Sequence, residues 1–265
     1  MDNNILAGKS LVVIGGTGGL GLSAAMAFVK YGARVVVAGR TQESASEALS
    51  LLGSNAEALV GDAVLPETAV QAIETCITKF GSFHGLYHVA GGSGRKWGDG
   101  PLHELTLEGW NRTLELNLTS LMLSGQAAVR QFMKNGSGGT ILNMGSVLGF
   151  SPSPRYFSTH AYAACKSAVT GFTRSLASYY AGHDIRINAI APALVETRMA
   201  ERAAGDEKIM SYIKTRQPLD GGRVGHVSDL DGLAVYFMSD LSKFTTGQVV
   251  AVDGGWCVSE GQLSE

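Results

Sequence analysis

The chain has 265 residues, 45% of them hydrophobic, with 35 glycines and 6 prolines; that apolar content, with no G-X-Y period, excludes collagen and low-complexity disorder. Lysine plus arginine (21) nearly balances aspartate plus glutamate (23), leaving a net charge of −2, and no basic stripe is present of the kind that neutralises a phosphate backbone, so neither nucleic acid nor a membrane surface is an expected partner. Cys76, Cys165 and Cys257 form no CxxC pair, Met1 to Asn4 carries no basic leader, and no apolar run reaches membrane-spanning length, which together point to a cytoplasmic protein without disulfides or zinc.

The first predicted strand, Ser10 to Ile14, is a continuous apolar run, and Gly15-Gly16-Thr17-Gly18-Gly19-Leu20-Gly21 separates it from a predicted helix, Leu20 to Tyr31. Glycine there permits positive φ and lets backbone N–H groups approach a pyrophosphate at the positive end of a helix. Strand, glycine loop and helix in the first βαβ unit make the context of the dinucleotide fingerprint. Two registers fit, Gly16, Gly18, Gly21 or Gly15, Gly19, Gly21. The second strand, Arg34 to Ala38, is followed by Gly39 and Arg40 with no acid, where a site preferring NAD carries a carboxylate for the ribose 2′-hydroxyl. A guanidinium at this tip suits a 2′-phosphate, which argues for NADP over NAD.

Helix Gln42 to Leu52, strand Glu57 to Val60, helix Pro66 to Phe80 and strand Gly85 to Ala90 continue the alternation, with Pro66 suited to a first helical turn. Then come helix Leu107 to Lys134, strand Thr140 to Met144, helix Tyr162 to Ala181, strand Ile185 to Ala191, helix Ser228 to Ser239 and strand Gln248 to Val252. Nearly continuous apolar strands alternating with helices predict a Rossmann-type, doubly wound, seven-stranded parallel sheet with helices on both faces, in one domain spanning residues 1–265. Residues Ala193 to Gly222 break the alternation and are expected to form a substrate lid.

Tyr162 and Lys166 stand four residues apart at the start of a predicted helix, so phenol and ammonium share a face. A nearby ammonium favours the phenolate and is expected to lower the tyrosine pKa toward working pH. Ser146 follows a strand at its carboxyl end, where open α/β sheets place their ligands.

With these residues in this order, the chain resembles the short-chain dehydrogenase/reductase family from about Lys9 to Gly255. The other matches are Asp62 after the third strand, Ala90-Gly91, Asn117 in Leu116-Asn117-Leu118, Asn143-Met144-Gly145-Ser146, Asn188-Ala189-Ile190-Ala191-Pro192 and Val252-Asp253-Gly254-Gly255. The resemblance selects the register Gly15, Gly19, Gly21, with Thr17, Gly18 and Leu20 completing the loop. It implies that Tyr162 exchanges a proton with the substrate oxygen while hydride moves to or from the nicotinamide, in a reaction interconverting a carbonyl and a secondary alcohol. Ser146 would bond that oxygen, Lys166 would hold the nicotinamide ribose, and Asn117 would position a water linking Lys166 to solvent. Asp62, with Ala63, would meet adenine; Ala90 and Gly91 would line the ribose; Pro192, Val195 and Thr197 would hold the nicotinamide end. The family also implies a homotetramer or homodimer.

Departures from the family pattern are Ile14 where threonine is common, His88-Val89 in place of two asparagines, Ala193 in place of glycine after Pro192, and a lengthened stretch between Ser146 and Tyr162. Ala193 would resist a positive φ. His88 is expected to be a hydrogen-bonded structural histidine, and Cys165 a small apolar packing residue. His160, Arg155, Tyr156 and Phe157 read as a solvated loop. The segment Ser93 to Asp99, with two cations and an indole, reads either as a substrate rim or as a subunit contact, and Trp256 with the tail after it as an interface segment. Two other readings stand beside the main one: an NAD-dependent dehydrogenase of the same family, and a non-catalytic dinucleotide-binding protein.

Overall fold

The β-branched runs pair side by side because each is apolar on both faces and needs cover above and below the sheet. In the computed structural model, which describes residues 4–261, they form one sheet in the order β3-β2-β1-β4-β5-β6-β7: β1 (Ser10–Ile14), β2 (Arg34–Gly39), β3 (Ala56–Val60), β4 (Gly85–His88), β5 (Gly139–Met144), β6 (Ile185–Pro192) and β7 (Val249–Val252). Every pairing is parallel. The order reverses between β1 and β4, which opens a crevice at the carboxyl ends of the strands.

Successive strand residues point to opposite faces. Leu11 and Val13 face one core with α1 (Gly19–Lys30), α2 (Gln42–Leu52) and α9 (Asp231–Met238). Val12 and Ile14 face the other with α3 (Pro66–Phe80), α5 (Ser120–Asn135) and α6 (His160–Tyr180). The doubly wound architecture expected from the sequence is the one observed.

Three elements differ from expectation. The predicted strand to Ala90 stops at His88, because the N–H groups of Val89 and Ala90 both turn to the Ile14 carbonyl, at 2.8 and 3.0 Å, and wrap the end of β1. The predicted helix Leu107 to Lys134 divides into α4 (Leu107–Leu114), a π turn at Glu115–Thr119, and α5; in the π turn the Ser120 N–H reaches back five residues to Glu115. Residues 193–222 carry the short α7 (Glu201–Ala204) and α8 (Glu207–Arg216) between single 3₁₀ turns.

The segment after β6 folds onto the β5–α6 connection. Ala203, Ile209, Ile213 and Val224 bury themselves against Val147, Tyr156, Phe157 and Trp256. Gln217 is buried and fastens the segment to the end of β6, its amide accepting from the Leu194 N–H and donating to the Leu194 carbonyl at 3.0 and 3.2 Å. Trp256, expected at an interface, is instead 2% exposed within its own chain. Its ring stands edge-on to Phe157 and Tyr212, and its indole N–H donates to the Ser151 carbonyl. The last four residues of the predicted tail lie outside the described residues. Ala193 does not take a positive φ, so alanine there carries no strain.

Candidate active site and dinucleotide cleft

The glycine loop is bound at both ends. Gly15 and Gly16 N–H groups share the Ala38 carbonyl, at 2.9 and 3.0 Å, so β2 fixes where the chain leaves β1. Gly15 has φ 83° and Gly19 φ 51°. A Cβ on Gly15 would stand 2.6 Å from the Ala90 nitrogen, and one on Gly21 would stand 2.1 Å from the Gly15 carbonyl oxygen. Gly16 is crowded as well, a Cβ there falling 2.8 Å from the Val13 carbonyl oxygen, so positive φ at Gly15 and Gly19, and not crowding, is what sets the Gly15, Gly19, Gly21 register apart. Gly18 is the N-cap of α1 in extended conformation, with no side-chain cap and nothing within 4 Å of a Cβ placed there. Thr17 and Leu20 flank this opening, partly buried, and the Ser44 hydroxyl donates to Thr17 Oγ1.

The first N–H groups of a helix have no partner inside it, and here they meet an open, glycine-lined space. That cradle fits an anionic pyrophosphate. Across it, Thr197 brings its methyl group to 3.8 Å from where a Gly19 Cβ would lie. Pro192 ends β6, and Val195 is buried and bridged to Gly225. At the other end, Gly39 is pressed so closely on Thr17 that a Cβ would fall 1.9 Å from its hydroxyl, and Arg40 emerges exposed beyond it. Asp62 follows β3 with Oδ1 accepting from the Val64 N–H, and Ala63 packs partly buried beside it. Ala90 and Gly91 lie beyond β4, a Gly91 Cβ falling 2.8 Å from Asn117 Oδ1 and 3.9 Å from Lys166 Nζ.

Ser146, Tyr162 and Lys166 come together at the carboxyl end of β5. Ser146 is buried, accepts from the Leu148 N–H at 3.2 Å, and lies close enough to the Tyr162 phenol to act on its pKa. Lys166 is 3% exposed, with Nζ 2.8 Å from the Met144 carbonyl and 5.4 Å from the Tyr162 ring centroid. Burial pushes its pKa down to about 8. Tyr162 departs from the expectation of a depressed phenol pKa. Desolvation pushes it up to about 12, with the nearby Ser146 hydroxyl opposing, while the ammonium is turned onto the Met144 carbonyl.

Asn117 sits in the π turn with its amide fully engaged. Oδ1 accepts from the Gly92 N–H, and Nδ2 donates to the Gly92 and Thr113 carbonyls at 2.8 and 2.9 Å. The side chain therefore ties the helix to the loop after β4. Beneath it His88 is buried between Ser124 and Ser120 hydroxyls at 3.0 and 3.3 Å, and burial with the nearby Lys166 charge pushes its pKa down to about 3. It is the neutral, hydrogen-bonded histidine the sequence suggested. Cys165 is buried with its thiol pKa pushed up to about 11, unsuited to nucleophilic work.

Two residues of this neighbourhood were not singled out by their sequence. Asp99, 4% exposed, reaches across 62 residues of chain, and its two oxygens accept the Ala161 and Tyr162 N–H groups at 2.9 and 3.0 Å. It neutralises the N-terminal end of the helix that carries Tyr162 and Lys166. The signal was the Asp99-Gly100-Pro101 turn, but its partner is tertiary. Gly149 lets the turn after Ser146 lie against α6, since a Cβ would stand 2.6 Å from the Lys166 carbonyl carbon. In the same loop region Lys96 and Arg112 flank the Trp97 ring at 4.2 and 5.3 Å, so this indole and its cations satisfy one another. Among the described residues no cluster of side chains could hold a metal ion, and no helix is long and apolar enough to cross a membrane.

A parallel sheet reversing at β1 and β4, a glycine cradle at a helix N-terminus, and a Ser-Tyr-Lys grouping beside it define a dinucleotide-dependent oxidoreductase. A family model described as Enoyl-(Acyl carrier protein) reductase matches residues 15–257, and the chain belongs to the short-chain dehydrogenase/reductase family of NAD(P)-dependent oxidoreductases. It is 33% identical to the gluconate 5-dehydrogenase of Gluconobacter oxydans (strain 621H), covering 96% of each chain. It is 31% identical to the NADP-dependent (R)-specific alcohol dehydrogenase of Lentilactobacillus kefiri, covering 95% of this chain and 97% of that one. The solved structure of a short-chain type dehydrogenase/reductase from Mycobacterium ulcerans superposes with a TM-score of 0.86 at 28% identity, over 96% of this chain and 91% of that one. These relatives support interconversion of carbonyls and alcohols.

Proposed function

We propose that the protein is an NADP-dependent reductase that converts a carbonyl to a secondary alcohol, and the reverse, with Tyr162 as general acid and base. The carrying observation is the grouping of Ser146, Tyr162 and Lys166 at the carboxyl end of β5, with Lys166 Nζ 5.4 Å from the Tyr162 ring centroid. The bound nicotinamide supplies or accepts the hydride. Burial keeps Tyr162 protonated at neutral pH, the form a proton donor needs for reduction. The Ser146 hydroxyl, beside that phenol, would orient the same substrate oxygen. Lys166 would hold the nicotinamide ribose, and Asn117 would brace the loop against which the ribose lies.

The N–H groups of the loop beyond Gly16, at the start of α1, would take the pyrophosphate, Asp62 and Ala63 the adenine, Ala90 and Gly91 a ribose, and Pro192, Val195 and Thr197 the nicotinamide end. Arg40, exposed and free of a carboxylate neighbour in sequence, supports NADP. Residues 193–222 would act as a lid, a role supported by their packing onto the β5–α6 connection. A relative named for gluconate and another named for alcohol favour a small hydroxylated substrate. Free cysteines support a reducing cytoplasmic setting. An apolar groove between α5 and α6, lined by Leu118, Met122, Ala168 and Phe172, supports self-association.

The test is NADPH oxidation across a panel of ketones and keto sugars. Tyr162→Phe is expected to lower turnover by about 10²-fold or more while NADPH still binds. Unchanged turnover in that variant refutes the assignment.

A further inference from the structure

Two arginines from separate segments meet at one point near the rim of the site. Arg95, in the loop after β4, and Arg202, in α7, both donate to the Tyr156 carbonyl, at 3.5 and 3.1 Å. The three segments all rise from the carboxyl ends of parallel strands, where open sheets bind their ligands. Their positions are set by buried neighbours. Arg95 follows Gly94, whose carbonyl accepts the Asp99 N–H, and Asp99 holds the backbone of Tyr162. Arg202 precedes Ala203, which is buried with Val147 and Trp256, one residue beyond Ser146 in the case of Val147. Tyr156 lies between Ser146 and Tyr162 in the chain.

The charge at this point is only partly compensated, by Asp99. Among the described residues neither guanidinium takes part in an ion pair. Asp99, the acid whose charge acts on Arg95, has both oxygens committed to α6 N–H groups. Glu201, beside Arg202, is exposed, as are Arg95 and Arg202 themselves, and it pairs with neither. Partial burial and the Arg202 charge both hold the Arg95 pKa below its ordinary value. A guanidinium has five donors, and a single neutral carbonyl uses one from each side chain. The other cations of this region differ: Arg155 lies over the Tyr156 ring at 5.4 Å, Lys96 and Arg112 lie on Trp97, and Arg112 also pairs with Glu115.

We infer that Arg95 and Arg202 form a clamp for a carboxylate carried by the substrate, so that the carbonyl reduced at Tyr162 belongs to a keto acid with its acid group at the far end. This rests on the carbonyl reductase reading. A planar carboxylate accepts paired N–H donors from guanidinium forks and offsets the repulsion between the two like charges. The arrangement also explains why the cations come from two different loops: the anion would draw α7 toward the loop after β4 and complete the wall over the substrate.

The experiment compares 4-oxopentanoate, 5-oxohexanoate and 6-oxoheptanoate with their methyl esters, which keep the carbonyl and lose the charge. The expected result is a kcat/KM at least about tenfold higher for one acid than for its ester, carried by KM. In Arg95→Gln and Arg202→Gln that ratio falls toward one, and Arg202→Lys recovers only part of it, because a point charge lacks the fork. Equal use of acids and esters by the unaltered protein overturns the inference, as does a preference that survives both substitutions. If no compound of either kind oxidises NADPH, the reductase reading fails separately. The clamp is then read from melting temperature: a rise with the acids, not the esters, that both glutamine variants abolish supports it, and no such rise overturns it.

Discussion

Replacing Asp99 by alanine removes two hydrogen bonds and one charge from the first turn of α6. The bonds are 2.9 and 3.0 Å long and their acceptor is 4% exposed, so water does not replace the lost partner. A hydrogen bond to a charged group contributes about 1.5–3 kcal/mol, and a carboxylate at a helix N-terminus about 0.3–1 kcal/mol. Allowing for partial relaxation of the helix end, Asp99→Ala is expected to lose about 2–4 kcal/mol, and Asp99→Asn, which keeps one acceptor, about half of that. For a chain of this size each kcal/mol corresponds to about 2–4 °C in melting temperature. A drop of roughly 4–16 °C for alanine is therefore expected by circular dichroism. Because the bonded N–H groups belong to Ala161 and Tyr162, the same change should displace the phenol and lower kcat by about tenfold or more. The glycine loop lies on other elements, so NADPH affinity, read by fluorescence titration, should change little. An alanine variant with normal melting and normal kcat would refute the reasoning, and one with lost stability but normal kcat would reduce Asp99 to a cap.

Arg40→Asp places a carboxylate where a 2′-phosphate would lie, and kcat/KM should fall about tenfold or more with NADPH while NADH gains; an unchanged coenzyme ratio counts against Arg40. Burial lowers the Lys166 pKa to about 8, so its charge is lost at lower pH than for an ordinary lysine. Reductive kcat/KM should hold through neutrality and decline as pH rises through about 8; a profile flat to pH 10 would contradict this. Asp231, with Oδ1 buried and without a partner and Oδ2 held by Ser23, has its pKa raised from 3.8 to about 6 by burial. The folded chain therefore binds this proton more tightly than the unfolded one, and the ionised carboxylate costs stability that appears between about pH 4 and 6 and persists above. Asp231→Asn should stabilise by about 1–2 kcal/mol at pH 7 and by little at pH 4, checked by urea unfolding at both.

The sheet was legible because its signals are local. Val12, Val13 and Ile14, or Val35, Val36 and Val37, are apolar without alternation, and only a strand covered on both faces calls for that. The meeting of Ser146, Tyr162 and Lys166 was legible for a similar reason, since Tyr162 and Lys166 share a helix face and Ser146 stands at a strand end. What escaped depends on partners far along the chain. The residue composition of Asp99 gives no hint that its oxygens cap a helix beginning at His160. The π turn has no signature of its own, because Leu114, Leu116 and Leu118 alternate with the period of a strand and only the flanking helical stretches carry the prediction across them. The expected fall in the Tyr162 pKa followed correctly from spacing, but spacing does not report that Lys166 turns toward Met144 or that the phenol is desolvated.

The π turn at Glu115–Thr119 holds one residue more than regular winding needs, because its hydrogen bond spans five residues instead of four. The wider turn absorbs that residue, so α4 and α5 keep their phase across it. Removing one residue here and closing an ordinary turn would leave Ser120 and Ser124 against His88. The loss would fall on Asn117, whose amide is offset by the bulge to reach both the Gly92 backbone and the Thr113 carbonyl. The extra residue thus serves one side chain, and the rest of the helix is indifferent to it.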